Sequence, residues 1–237
     1  MNHALEWRGV SKSYGSGPAE VHALRGVSLG VRPGEFVAVM GPSGSGKSTL
    51  LHLAGGLERP TAGSVAVDGA DLGALDARGL AVLRRRSIGY VFQKLNLIAS
   101  LTAIENVMLP MELDGMRSRD ARPRAEQALE RAGLPAPYDR FPDDLSGGEQ
   151  QRVAIARGIA GERSVLLADE PTGALDTLSG DRIIELLSGL AAAGTAVVLV
   201  THEPRFASWA DRVVLLRDGE IVDETTASLT LVDGASR

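Results

Sequence analysis

The stretch Gly41-Pro42-Ser43-Gly44-Ser45-Gly46-Lys47-Ser48 satisfies G-x-x-x-x-G-K-[ST] at every fixed position. That pattern serves one kind of chemistry. Glycines let the backbone curl until successive N–H groups face a common anion. A helix opening at Lys47 adds its positive N-terminal end. The lysine ammonium neutralises the outer phosphates of a nucleoside triphosphate, and the Ser48 hydroxyl is placed for Mg²⁺. The flanks agree, because the apolar run EFVAVM precedes the loop and STLLHLAGGL reads as the helix after it. The alternative, a glycine-rich turn with no ligand, does not account for a lysine and a hydroxyl in this strand–loop–helix context.

A second run, SVLLADEP, ends an apolar strand in Asp169-Glu170. A strand that delivers a carboxylate at its C-terminal end beside a phosphate loop is where Mg²⁺ is held. Asp169 is the candidate metal residue, acting through water. Glu170 turns elsewhere and is the candidate acceptor of a proton from attacking water. An acidic surface pair after a strand is the plain alternative.

DDLSGGEQQRVAIARGIA supports two readings at once. Ser146 and Glu149 form S-x-x-E, a capping box that many helices carry. Gly147 and Gly148, however, are poor first-turn residues on propensity grounds. They make sense where something must approach the backbone, and a helix start with bare N–H groups is a second anion site. One nucleotide needs only one such site, unless the second completes the pocket of another copy.

These motifs must be positioned by ordered elements. Apolar, β-branched runs recur at 27–31, 35–40, 64–67, 88–92, 165–168, 196–200 and 212–216. Several are nearly continuous in Val, Ile and Leu, as strands covered on both faces are. Asp68-Gly69 and Asp218-Gly219 read as hairpin turns, so antiparallel elements flank a parallel sheet. From Leu101 to Gly133 the pattern is helical, with Pro123 near a helix start and Gly133 closing the helix. The expected organisation is one α/β domain: a core of about 1–93 and 158–237, with a helical insertion over about 94–157. The chain from Thr225 reads as a loosely held tail.

Composition bounds the rest. The 237 residues are 44% hydrophobic and 23% charged, enough to bury a real core. A net charge of −5 argues against a nucleic-acid grip. With no cysteine, disulfides, thiol catalysis and Cys-based zinc sites are excluded, and the four histidines are scattered. No apolar run approaches the ~20 residues that span a bilayer, and the N-terminus shows no signal-peptide pattern. The expectation is a cytoplasmic chain; any membrane work needs another polypeptide to supply the spans.

The segment Leu145–Arg152, LSGGEQQR, resembles the signature motif of ATP-binding cassette (ABC) ATPases, and the likeness extends over nearly the whole chain in the family's order. Tyr14 in SKSYGSG resembles the aromatic platform for adenine. Gln93 in YVFQKLN resembles the Q-loop glutamine, Ala174-Leu175-Asp176 a D-loop, and His202 in VLVTHEP the switch histidine. VFQKLNLIASLTAIENVMLPMEL, GGLERPTAGSV and ADEPTGALDT further resemble the branch that pairs with extracytoplasmic-domain permeases, the LolD, MacB and FtsE types.

The resemblance implies a P-loop NTPase core with a mixed sheet, an antiparallel β subdomain and a helical insertion. It implies ATP and Mg²⁺ as ligands and hydrolysis of ATP to ADP and phosphate. Nucleotide contacts would come from Tyr14, Gly41 to Thr49, Ser146, Gly147, Gly148 and Asp176. Lys47, Gln93, Glu170 and His202 would serve catalysis, and Ser48, Gln93 and Asp169 the metal. Two copies would sandwich ATP head to tail, with Ser146 and Gly148 of one meeting the γ-phosphate held by Lys47 of the other. An integral-membrane permease would be the partner, at the cytoplasmic face of the inner membrane, with no nucleic acid involved. Transport of a cargo by export or extraction, and ATP-driven signalling without cargo, are both compatible. A soluble repair-type ATPase needs a long coiled coil, and translation types usually carry two cassettes; 237 residues with one phosphate loop fit neither. Leu95, Leu97, Ile98, Leu101, Met108, Met111 and Met116 are candidates for a permease-docking groove, the alternative being that they pack the helical insert.

Overall fold

The computed structural model describes residues 3–226. In chain order its strands are β1 (Leu5–Tyr14), β2 (Val21–Val31), β3 (Phe36–Met40), β4 (Ala62–Val67), β5 (Ala70–Asp71), β6 (Ile88–Val91), β7 (Val165–Asp169), β8 (Ala196–Val200), β9 (Arg212–Arg217) and β10 (Glu220–Thr226). The α-helices are α1 (Lys47–Ala54), α2 (Ala77–Arg86), α3 (Ala103–Leu113), α4 (Ser118–Arg131), α5 (Gly147–Ile159), α6 (Thr177–Ala192) and α7 (Pro204–Ala207).

Six strands form one sheet in the order β10-β9-β3-β8-β7-β6. Its pairs are parallel except at the edge, where β10 runs antiparallel to β9. β7 and β8 are buried at every residue, which is why their sequences are unbroken apolar runs. Alternate side chains feed two cores. Phe36, Ala38, Leu166, Ala168, Val197 and Leu199 pack with helices α3 to α6. Val37, Val39, Leu167, Val198 and Val200 pack with α1 and a second sheet. The chain is thus an α/β protein with a mixed sheet, as its sequence pattern indicates.

The second sheet is antiparallel, in the order β2-β1-β4-β5. β1 escaped the sequence pattern. Leu5, Trp7 and Val10 are buried, but irregularities between Trp7 and Val10, Val10 and Lys12, and Lys12 and Ser13 break the period-2 alternation. β2 also begins earlier than its apolar run, at Val21, because pairing with β1 supplies what its own side chains do not. Trp7 Nε1 donates to Leu50 O at 3.2 Å and so ties this sheet to α1.

Both Asp-Gly turns form. Asp68 and Gly69 have φ of 50° and 79°, and Asp218 and Gly219 have 50° and 82°, the left-handed pair that a tight hairpin demands. Gly133 closes α4: at φ 76° its N–H reaches Glu130 O, and Leu134 N–H reaches Leu129 O at 3.0 Å. Pro123 does not stand at the helix start. α4 begins at Ser118, and Pro123 lies inside it on an exposed face. Water can serve the Arg119 carbonyl that Pro123 cannot bond, while Ala121, Ala125, Ala128 and Leu129 hold the helix to the core. Thr225 and Thr226, the first residues of the expected tail, belong to β10; the rest of that tail lies outside the described residues.

Candidate functional site

Three neighbouring strands, β3, β8 and β7, end side by side at their carboxyl ends. Each is followed within two residues by a group of the site: the phosphate loop after β3, Glu170 after β7 and His202 after β8. Parallel pairing in register therefore assembles residues from positions 41 to 202.

Close approach explains two of the loop glycines. A Cβ at Gly41 would collide with the Leu216 carbonyl, and one at Gly46 with the Ala23 carbonyl. Gly46, at φ 102°, starts α1 without any side-chain cap. The Lys47 ammonium lies over the loop, donating to Gly41 O at 2.9 Å and Pro42 O at 2.8 Å. Burial lowers its pKa, opposed by the charges of Glu170 and Asp169.

Asp169, 4% exposed at the end of β7, carries a buried Oδ1 with no hydrogen-bond partner. Burial raises its pKa, while the Ser48 hydroxyl beside it pulls the other way. A carboxylate oxygen removed from water and left unpaired is costly unless a cation meets it. Among the described residues no group of three or more His, Cys, Asp and Glu side chains could hold a metal by itself. A Mg²⁺ ion fits such a site when phosphate oxygens and water supply the other ligands, and Asp169 and Ser48 are the side chains that would hold it.

Glu170 has φ 49°, a left-handed residue at the strand end, with its N–H bonded to Val200 O at 3.0 Å. That conformation costs about 1–2 kcal/mol for a non-glycine residue and separates its direction from that of Asp169. His202 Nδ1 lies 2.8 Å from Glu170 Oε1. This hydrogen bond raises the His202 pKa, and its charge attraction adds to the effect.

These groups line one cleft of about 710 Å³, with Gly41, Ser43, Gly44, Gly46, Lys47, Ser48, Thr49, Gln93, Gly147, Asp169, Glu170 and His202 in its wall. Six other candidates lie outside that wall. Pro42 and Ser45 belong to the loop's own turn, Ser45 N–H reaching Pro42 O at 3.2 Å. Tyr14 stands next to the cleft, its hydroxyl 3.5 Å from Thr49 Oγ1. Asp176 caps α6, accepting from Ser179 N–H at 3.0 Å. Ser146 and Gly148 flank Gly147 at the start of α5.

There the capping box is complete. Ser146 N–H and Oγ donate to Glu149 Oε2 at 2.9 and 2.8 Å, and Glu149 N–H donates to Ser146 Oγ at 3.3 Å. Arg140 donates to Glu149 Oε1 at 2.6 Å. With the Ser146 bonds, it holds the Glu149 carboxyl down at about 2.

Several residues that shape the site were not singled out from sequence. Gln151, in the cleft wall, has a buried Nε2 without a partner. Arg157 donates to Leu95 O and Asn96 O at 2.7 Å each, tying α5 to the segment after Gln93. Asn106, fully buried, bonds Ile98 N and the carbonyls of Ile98, Leu101 and Thr102. An Asn in TAIENVML and a Gln one turn after Gly147 were the available signals. The expected apolar groove is smaller than its seven members: Met108 and Met111 are core, Leu97 and Met116 pack against that core, and Ile98 is 41% exposed.

The profile of the family described as ABC transporter matches residues 24–173. The chain is 46% identical to the ABC transporter ATP-binding protein YknY of Bacillus subtilis, over 92% of this chain and 95% of that one. It is 45% identical to the macrolide export ATP-binding/permease protein MacB of Escherichia coli, over 94% of this chain but only 34% of MacB, so it spans about a third of that relative's length. Among solved structures, the ATP-binding cassette MJ0796, a dimer in a post-hydrolysis state bound to ADP and Pi, superposes with a TM-score of 0.91 at 43% identity, covering 94% of this chain and 99% of that one.

Proposed function

This chain belongs to the ABC transporter family as an ATP-binding ATPase subunit of the MacB and LolD type, and we propose that it works as a head-to-tail dimer that drives an integral-membrane permease from the cytoplasmic face. The observation that carries the reading is the shared cleft: an uncapped helix start with Lys47, a buried unpaired Asp169 oxygen, and the Glu170–His202 pair. The dimeric MJ0796 cassette and the fused permease part of MacB support the two partners.

Loop N–H groups and Lys47 hold the β- and γ-phosphates. Ser48, Asp169 and Gln93 would hold Mg²⁺, which would supply neutralising charge at the phosphates. Glu170 accepts a proton from the attacking water, and His202, oriented by Glu170, contacts the γ-phosphate. Most of the rate then comes from positioning and charge stabilisation, as phosphoryl transfer allows. Ser146 and Gly148 of the second copy close over the γ-phosphate, so binding closes the dimer and hydrolysis opens it. The helical stretch of about 94–157 moves with the permease, which takes substrate out of the membrane or exports it. Among the described residues no helix is long and apolar enough to cross a membrane.

The test is co-purification with the cognate permease. Ile98→Glu places a charge on the exposed part of the segment after Gln93. It should abolish co-purification and leave the ATPase activity of the isolated subunit intact. Retained complex and permease-dependent activity in that variant would move the docking surface elsewhere.

A further inference from the structure

A charged cluster next to the cleft has no part in the chemistry above. Glu58 follows α1 in the turn before β4. Its Oε2 accepts the Tyr14 hydroxyl at 2.7 Å and lies 3.1 Å from the Lys12 ammonium. Its Oε1 lies 3.3 Å from His52 Nδ1. Lys12 and Tyr14, both near the end of β1, meet at this carboxylate. The Lys12 Nζ also sits 4.9 Å from the centroid of the Tyr14 ring and donates to Arg59 O at 2.9 Å. The ring is therefore fixed at two points, at its hydroxyl by a carboxylate and on one face by a cation. It remains 39% exposed, and its hydroxyl is 3.5 Å from the Thr49 hydroxyl at the edge of the cleft.

An exposed tyrosine is not ordinarily held this way. A side chain free to turn must be immobilised when a base stacks on it, and that cost is subtracted from the affinity. A ring already locked loses nothing further. We infer that Glu58 is a positioning residue for the nucleobase: by holding the Tyr14 hydroxyl and the Lys12 ammonium together, it keeps the ring at one angle beside the phosphate loop, so that a purine stacks on the face Lys12 does not cover. This rests on the reading of Tyr14 as the base platform.

The experiment measures kcat and KM for ATP hydrolysis, with direct titration of ADP binding, in Tyr14→Ala, Tyr14→Phe, Glu58→Ala, Glu58→Gln and the double variant Tyr14→Phe/Glu58→Ala. Loosening a stacking platform should cost roughly 3- to 10-fold in affinity. Tyr14→Phe and Glu58→Ala should each raise KM and the ADP Kd by that factor with kcat unchanged. The double variant should be no worse than Glu58→Ala alone, since loss of the carboxylate already breaks the bond that Tyr14→Phe removes. Glu58→Gln should restore near-normal KM, because its amide oxygen still accepts the phenol. The positioning role is overturned if Tyr14→Phe binds normally, if Glu58→Ala costs as much again in the Phe background, or if Glu58→Ala lowers kcat with KM unchanged. Should Glu58→Ala fail to fold, Tyr14→Phe and Glu58→Gln decide alone. An unchanged KM in Tyr14→Ala overturns the platform reading itself. A raised KM there beside a normal Glu58→Ala overturns only the role of Glu58.

Discussion

Two helices of this protein begin on glycines beside the same cleft, and they begin differently. α1 starts at Gly46 with no side-chain cap, next to a lysine and two buried polar oxygens, on Ser45 and Asp169, that no protein group satisfies. α5 starts after Ser146 with its capping box complete and its Glu149 charge balanced by Arg140. The glycines differ too. Gly46 is wedged against the Ala23 backbone, whereas a Cβ on Gly147 would have nothing within 4 Å. The first helix start is thus built around a ligand and around its own fold. The second is self-sufficient as structure, and its open Gly147 leaves room for the second copy of the proposed sandwich. On that proposal a lone subunit needs the first helix start and a pair needs both.

The largest effect should come from Glu170→Gln. Loss of the proton acceptor lowers turnover about 10²–10⁴-fold while ATP binding persists, and the variant with ATP should elute as a dimer in size exclusion. Near-normal turnover would remove Glu170 from the mechanism. Ser146→Arg attacks the other helix start. It should abolish the ATP-dependent dimer and cooperative hydrolysis, yet leave nucleotide affinity of the single subunit unchanged. A variant that stays monomeric with full activity would break the sandwich and, with it, the contrast between the two sites.

The paired glycine substitutions sharpen the contrast through thermal melting. Gly46→Ala should destabilise the free subunit by a few kcal/mol, of the order typical for strain at a special backbone position. Gly147→Ala should melt no lower than wild type, because alanine improves a helix by up to about 1 kcal/mol, and yet weaken ATP-driven dimerisation. If Gly147→Ala dimerises normally, the open glycine is not there for a partner.

The smallest effects concern pH, and the two regions differ in sign. The folded-state pKa of His202 is raised above its ordinary 6.5 by Glu170. The stability it contributes is therefore full below about pH 6.5 and fades as pH rises through the raised value. With His202 mostly exposed, it is worth little. Glu149 is depressed from 4.5 to about 2. Its contribution is full above its unfolded value and is lost as pH falls toward 2. Histidine NMR titration should show the His202 midpoint fall in Glu170→Gln, and acid melting should begin at higher pH in Arg140→Ala. An unmoved His202 midpoint would mean that the pair does not persist in solution.

Legibility from sequence followed locality. The phosphate loop, the Asp169-Glu170 strand end, the capping box at Ser146 and both Asp-Gly turns could be read because each is specified within about eight consecutive residues, by glycine, hydroxyl or carboxylate at fixed offsets. β1 could not, since its irregular pairing hides the alternation of Leu5, Trp7 and Val10. Pro123 was misplaced because tertiary packing of the Ala121, Ala125 and Leu129 face extended α4 ahead of it. Met108 and Met111 looked like candidates for a docking surface because core and surface methionines share one helical period.

By itself, then, the sequence determined which local devices exist: a loop that wraps an anion, a strand that ends in acids, a helix that caps itself. These depend on backbone propensity and on neighbours within a turn. Only the tertiary structure decided which devices meet. Parallel register of β3, β8 and β7 brings His202 within 2.8 Å of Glu170, 32 residues away in the chain. Burial leaves one Asp169 oxygen without a partner. Arg157 joins α5 to the segment after Gln93, 61 residues earlier. The reason is physical: desolvation and side-chain contact depend on what packs nearby in space, and spacing along the chain carries no record of that.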